Sequence, residues 1–236
     1  MDAEDRRRLV VKLEKLLASD IIVYFLADRN GCPQASIGED AVPFLYEHLK
    51  LLRGNSESPR LGLFLYSRGG AVEVPWRIAS MVKELYKEFI LIIPYKAHSA
   101  ATMIALGADE IVMTPKSELG PIDPSLGIRQ GSEGTVIKQQ INVEDVMSYL
   151  AFLKEKAGLT DQKALSGSIE LLAKQLNPWL IGGMYRIKEH VNLVARKLLT
   201  LKKKKLDESK LIAIIEALVE KTYYHGHAIG RQEAFL

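Results

Sequence analysis

Apolar positions change their period along this chain. Over residues 3–18, Leu9, Leu13, Leu16 and Leu17 recur at helical spacing behind the acidic opening "DAED", which suits a helix N-terminus and predicts an amphipathic helix. "DIIVYFLA" (20–27) breaks that rhythm with a continuous apolar run, as strands of a parallel sheet show when both faces are covered. Alternation then sets in: "EDAVPFLYEHLKLL" reads as helix, "LGLFLYS" as strand, "VEVPWRIASMVKELYK" as helix, "FILIIPY" as strand, "SAATMIALGA" as a short helix and "DEIVMT" as strand. Strands separated by helices imply right-handed crossovers and a parallel sheet with helices packed on it, so the expected class is α/β.

The stretch "GPIDPSLGIRQGSEG" is rich in Gly, Pro and Ser, and after it "TVIKQQ" is the one further strand candidate. Four segments then keep apolar residues at spacings of three and four: "VEDVMSYLAFLKEKAG", "DQKALSGSIELLAKQL", "PWLIGGMYRIKEHVNLVARKLLT" and "ESKLIAIIEALVEK". The expected organisation is an N-terminal amphipathic helix (1–19), an α/β core (20–140) and a helical C-terminal region (141–236) that packs on the core or on a partner subunit. The doublet Gly182-Gly183 should loosen or bend its helix at about 1 kcal/mol per glycine relative to alanine, and a close helix crossing at a subunit contact would explain its presence.

Composition narrows the classes. With 47% hydrophobic and 26% charged residues the chain reads as globular rather than disordered or fibrous. Cys32 is the sole cysteine, so neither an intrachain disulfide nor a cysteine-based zinc site can form, and a reducing compartment is expected. The N-terminus lacks a long apolar h-region and no segment approaches the length of a membrane span, so a cytoplasmic protein without stable membrane insertion is expected. Net charge is only +3, and the basic run "LKKKKL" (201–206) carries no interleaved aromatics, which favours a solvated loop between two helices over a nucleic-acid contact. "HGH" (225–227) has no third ligand at zinc spacing, so no metal is expected.

In open α/β sheets ligands collect at the carboxyl ends of the strands. One such end, "LFLYSRGGAVEVPWRI", carries Gly69 and Gly70, which either make a tight strand-to-helix turn or leave backbone N–H groups open to an anion or a developing oxyanion. The lysine and hydroxyl of a P-loop and the third glycine of a dinucleotide fingerprint are missing, so no phosphate cofactor is expected. The other end, "YKAHSAATMIALGADEIVM", puts Ser99 at the start of a helix. There it either caps the helix or, supported by free N–H groups and the helix dipole, can act as an alkoxide-like nucleophile beside an oxyanion on the Ala100 N–H.

Taken together, "SRGGAVEVPWRI" and "AHSAATMIALGADEIVMTPKSELGPIDP" resemble the serine dehydrogenase proteinase family, a branch of the Clp-protease and crotonase-like superfamily that is also similar to signal peptide peptidase A. The resemblance spans about residues 20–125, with a fainter echo at "HAIGRQEA". It implies a ClpP/crotonase-like core and a serine peptidase in which Ser99, 29 positions after Gly70, is the nucleophile and the N–H groups of Gly70 and Ala100 form the oxyanion hole. Peptide or protein substrates, self-association and the absence of any cofactor are implied with it. The resemblance also implies a longer protein, since relatives continue beyond the point where this chain stops at "EAFL".

The base is not fixed by these motifs. Clp-like members place the acid of their triad near the position of His225 and His227, where this chain has no Asp. Asp123, before a proline, reads as a turn residue, His98 as pointing away from its neighbour Ser99, and His48 and His190 as helix-surface or packing residues. In the signal-peptidase-like members a lysine follows the serine, and Lys138 fits that spacing best, with Lys154 and Lys156 as alternatives. Two other functions share the expected fold: a crotonase-like acyl-CoA enzyme that needs no nucleophile at Ser99, and a catalytically degenerate interaction module.

Overall fold

The computed structural model describes residues 2–28, 35–122, 125–130, 137–219 and 226–235, with 125–130, 137–142 and 235 described through their backbone. The chain divides into two compact units, Met1–Ile122 with Val194–Leu236, and Asp123–Leu193.

In the first unit, α1 (Ala3–Leu17) opens with a reciprocal cap in which Asp5 N–H donates to Asp2 Oδ1 (2.8 Å) and Asp2 N–H to Asp5 Oδ2 (3.4 Å). Strands β1 (Asp20–Phe25), β2 (Arg60–Tyr66) and β3 (Glu88–Ile93) alternate with helices α2 (Ala41–Asn55) and α3 (Val74–Leu85). The short β4 (Lys96–Ala97) and helix α4 (Ala100–Gly107) follow, then β5 (Glu110–Met113) and the short β6 (Glu118–Leu119). β1, β2, β3 and β5 form one parallel sheet in that order, in register through Asp20↔Leu61, Leu61↔Phe89 and Ile90↔Glu110. The expected alternation is therefore realised, and each long apolar run became a strand of this sheet.

Burial explains why. Leu61, Leu63, Leu65, Phe89, Leu91 and Ile93 are essentially inaccessible on one face and Ile90 and Ile92 are buried on the other, as parallel strands covered on both faces must be. α1 covers one face: Val10, Leu13 and Leu17 pack against Ile21, Ile90 and Ile92. α3 and α4 lie close together, and a Cβ added at Gly107 would come within 2.8 Å of Ala79 Cβ and 3.1 Å of Leu198 Cδ2. Every residue of α4 is buried, so this helix is apolar all round and fixed along its whole length.

Three two-residue strands, invisible in the sequence pattern, form a second small sheet. β4 pairs parallel with β6, and β6 antiparallel with a late strand whose range is Ile229–Gly230. The "HAIGRQEA" segment thus joins the first unit beside the site described below.

In the second unit, β7 (Ser125–Gln130) and β8 (Ile137–Asn142) form an antiparallel hairpin. β8 falls where "TVIKQQ" suggested a strand, whereas β7 runs through the Gly/Pro/Ser-rich stretch before it, where no strand was expected. Helices α5 (Val143–Ala151), with a π-helical turn at Phe152–Lys156, α6 (Gln162–Gln175) and α7 (Pro178–Thr200) follow. Val143, Val146 and Met184 form this unit's core with Leu172, Leu176 and Leu180 against them. α7 continues unbroken through Gly182-Gly183, and a Cβ at either position meets nothing within 4 Å. Helix α8 (Glu208–Val219) and β9 (Ile229–Gly230) belong to the first unit. Among the described residues, no helix is long and apolar enough to cross a membrane.

Candidate active site

Beyond the last β2–β3 ladder pair, the residue after β2 is tied to β4. Ser67 bridges to Ala97, with Ser67 N–H donating to Lys96 O (3.1 Å) and His98 N–H to Ser67 O (3.1 Å). The Ser67 hydroxyl then accepts from Gly69 N–H (2.9 Å), which starts the diglycine turn. Through these bonds the turn after β2 is brought against the segment that carries Ser99.

Gly69 and Gly70 sit at φ +114° and +155°, a region that strains an L side chain. Each is also required by a different neighbour. A Cβ on Gly69 would lie 2.9 Å from Ser99 Cβ and 3.0 Å from His98 O, whereas one on Gly70 would lie 2.1 Å from Ile37 O. Ile37 runs alongside the turn, its N–H donating to Gly69 O (2.8 Å) and its carbonyl accepting from Ala71 N–H (2.8 Å). Because bonding directions alternate along an extended chain, the N–H of Gly70 itself is directed away from Ile37.

Ser99 has φ +50° and ψ −117° and stands at the N-cap of α4, yet its side chain makes no capping hydrogen bond. A non-glycine residue held there costs of order 1–3 kcal/mol. The capping role open to a serine at a helix start is therefore not the role of this one. Ala100, the first helical residue, contributes an N–H that has no partner within its helix. Ser99 is partly buried at this strained strand–turn–helix junction.

Thr102 holds this junction from behind. Its buried hydroxyl shares its proton between Ala97 O (2.7 Å) and Gly120 O (2.8 Å) and accepts from Gly120 N–H (3.2 Å), which locks α4 to β4 and to the residue after β6. His98 packs its ring against Gly120, where an added Cβ would come within 2.9 Å of Cγ, and its Nε2 lies 3.0 Å from Glu118 Oε1. Burial pushes the His98 pKa below its ordinary value; Glu118 opposes that shift, and Lys96 and Arg68 add to it. At the rim, Asp28 accepts from Tyr66 Oη (2.7 Å) and Arg68 Nε (2.5 Å). Burial, and then Asp28, pushes the Tyr66 phenol up to about 12.

Gly69, Gly70, Ser99 and Ala100 are thus brought into one cluster. The base candidates are distributed otherwise. Lys138 lies on β8 of the second unit, where the side chains fall outside the described residues, as do Asp123, His225 and Cys32 altogether. Lys154 and Lys156 are exposed on the π-helical turn of the second unit. His48 and His190 are exposed, the former bonded through Nδ1 to Phe44 O (2.7 Å), and His227 Nε2 lies 3.0 Å from Glu233 Oε1. Sequence reasoning missed Ser67, Ile37 and Thr102; of these only Ser67, two residues before the diglycine, carried a local signal.

A family model described as ClpP-like SDH-type serine proteinase matches residues 46–166, a span that contains both turns. The chain belongs to this family. Two uncharacterized proteins of Methanocaldococcus jannaschii are 37% and 36% identical to it over 81 residues, which is 34% of this chain and 28% of each relative. The chain therefore matches well under a third of the length of those relatives. Among solved structures, a mutant of a membrane-bound stomatin-specific protease in complex with a substrate peptide is similar at 19% identity (TM-score 0.39, 61% of this chain and 63% of that one). ClpP1 from Listeria monocytogenes is similar at 14% identity (TM-score 0.45, 94% and 89%). The α/β core, with its parallel sheet flanked by helices, is ClpP-like.

Proposed function

We propose that the chain is a serine peptidase that cleaves peptide bonds through an ester on Ser99. The observation that carries this reading is the conformation of Ser99, strained at φ +50°, without a capping bond and packed against Gly69. Its hydroxyl oxygen attacks the peptide carbonyl, and the N–H groups of Gly70 and Ala100 stabilise the oxyanion that forms. Collapse of that intermediate breaks the C–N bond, the amine leaves with the proton taken from Ser99, and water then hydrolyses the ester. Lys138 is assigned the base role, on the spacing that the serine–lysine members of the superfamily share. Peptide or protein chains are the substrates, self-association in the cytoplasm is the working form, and exposed apolar side chains such as Phe152, Tyr185 and Trp179 (86% exposed) support contacts between copies.

A fluorophosphonate probe tests this directly. It should label the wild-type chain and not Ser99→Ala, and Lys138→Ala should lose casein or peptide hydrolysis. Thioester turnover that survives Ser99→Ala would point to a crotonase-like enzyme instead, and silence in both assays to an interaction module.

A further inference from the structure

A cavity of about 590 Å3, within the range of small-molecule sites, lies in the first unit between α4 and α8. On one side it is walled by Ala105 and Leu106 of α4, and on the other by Ala213, Ile214, Ala217 and Leu218, an apolar stripe at helical spacing along α8. The two alanines keep the stripe shallow, so the groove runs lengthwise along the helix. At the N-terminal end of α8 three further lining residues, Lys202, Lys204 and Lys210, are lysines.

The charge in this cavity is one-sided. Among the described residues none of the three lysines forms an ion pair, and Lys202 Nζ donates only to the carbonyl of Ala108. The two carboxylates that also line the cavity are already engaged. Asp109 accepts from Lys83 Nζ (2.7 Å) and from the N–H groups of Phe89 (2.8 Å) and Lys203 (2.6 Å), and Glu233 is held by His227 (3.0 Å). Burial pushes the Lys202 pKa down, with Asp109 opposing that shift and Lys83 adding to it, so a further anion beside it would favour its charged form.

We infer that this cavity binds a single-chain aliphatic anion, with its alkyl chain along the α8 stripe and its anionic group among Lys202, Lys204 and Lys210. The dimensions suit such a ligand. From Lys210 to Leu218 the helix rises about 12 Å at 1.5 Å per residue, and an extended chain advances about 1.2 Å per bond, so roughly ten carbons span the stripe. An extended protein segment fits less well, because along the α4 and α8 walls its backbone N–H and C=O groups would be buried against apolar side chains that offer no partners. The one hydroxyl of the α4 wall, that of Thr102, is committed to Ala97 and Gly120.

Calorimetric titration of the whole chain with decanoate, decanol and decyltrimethylammonium tests the assignment. Decanoate should bind saturably at one site, and the cation at least about tenfold more weakly. Ala217→Trp, which fills the groove, should weaken decanoate by about tenfold or more, and so should Ala213→Phe one turn earlier, so that a folding fault in one variant does not decide the result. The pair Lys202→Gln/Lys210→Gln should weaken decanoate while leaving decanol unchanged. The proposal is overturned if decanoate does not bind, if the cation binds as tightly, or if both filling variants bind decanoate as the wild type does. It is equally overturned if the filling variants leave decanoate binding intact but lower the particle mass in sedimentation, because the groove then belongs to a second copy of the chain.

Discussion

The two ends of the parallel sheet use polar groups in opposite ways. At the N-terminal end of the strands a set of ion pairs ties the strand starts together: Arg60 reaches Glu88 (3.0 Å), Glu110 (2.9 Å) and the carbonyl of Leu17 (2.7 Å), Lys203 pairs with Glu88 (2.6 Å), and Lys83 with Asp109 (2.7 Å). Tyr86 Oη and Ser56 Oγ both donate to Asp20, at 2.8 and 2.7 Å. At the C-terminal end the backbone is strained at Ser99, turned through positive φ at Gly69 and Gly70, and opens α4 with an Ala100 N–H that has no partner within its helix. The satisfied end secures the strands, and the strained end is held only because that sheet and the buried helix α4 over-determine it.

The largest effect that separates the two ends is chemical. Ser99→Ala removes the hydroxyl and keeps the fold, so hydrolysis should fall by about 10⁴-fold or more, while thermal unfolding stays near wild type. Retained hydrolysis would break the comparison, since the strained end would then be strained for no chemical reason. Next comes Gly69→Ala. Its new Cβ would press on Ser99 Cβ and on the His98 carbonyl in a backbone region alanine avoids. The expected loss is about a hundredfold or more in turnover, the magnitude of a displaced oxyanion donor, with about 1–3 kcal/mol of stability lost to strain. Paired turnover and denaturant-midpoint measurements read both quantities from one variant.

The sheet was legible because its strands are long unbroken apolar runs, and "FILIIPY" or "LGLFLYS" can bury all of that surface only between two layers of helices. The positions of Gly69, Gly70 and Ser99 were legible for a related reason: strand ends followed by helix starts mark where ligands collect. What could not be read was anything set by distant partners. β4, β6 and β9 are two residues each and have no periodicity to detect, and β7 lies among residues that ordinarily make turns. The requirement for glycine at position 70 comes from Ile37, more than thirty residues upstream, and the backbone angles of Ser99 follow from the Ser67 and Thr102 bonds around it. Lys202 sits in a run of four lysines that suggests a solvated loop, but the turn between α7 and α8 folds it inward onto Ala108.

The N-terminal end is tested by breaking one of its pairs. Lys83 and Asp109 are 14% and 13% exposed, so Lys83→Met leaves a largely buried carboxylate without its cation. Removing one partner of such a pair costs about 3–5 kcal/mol when burial is complete, and about 2–3 kcal/mol is expected here because two backbone N–H groups still reach Asp109. Turnover per folded molecule should not change. A variant that loses turnover in proportion to nothing but Ser99 labelling, with its stability intact, would show that the two ends are coupled rather than separate.

The smallest effect is a difference in pH response. Near the site, burial lowers the His98 pKa below its ordinary 6.5, so the unfolded chain takes up the proton first as pH falls. Stability from this residue is therefore present above pH 6.5 and is lost between 6.5 and the folded value, and His98→Gln should flatten that part of the profile. At the opposite end, burial raises the Asp109 pKa, but the Lys83 bond and the Phe89 and Lys203 N–H donors outweigh it and hold the group below its ordinary 3.8. Its contribution persists down to about that pH and is lost as pH falls further through the folded value. Urea midpoints measured from pH 8 to 3 should therefore decline in two steps, the first removed by His98→Gln and the second, to which the lowered carboxyls of Asp28, Glu88 and Asp207 also contribute, reduced by Asp109→Asn. If both substitutions remove the same step, the two ends titrate as one network and the division between a satisfied end and a strained end does not hold.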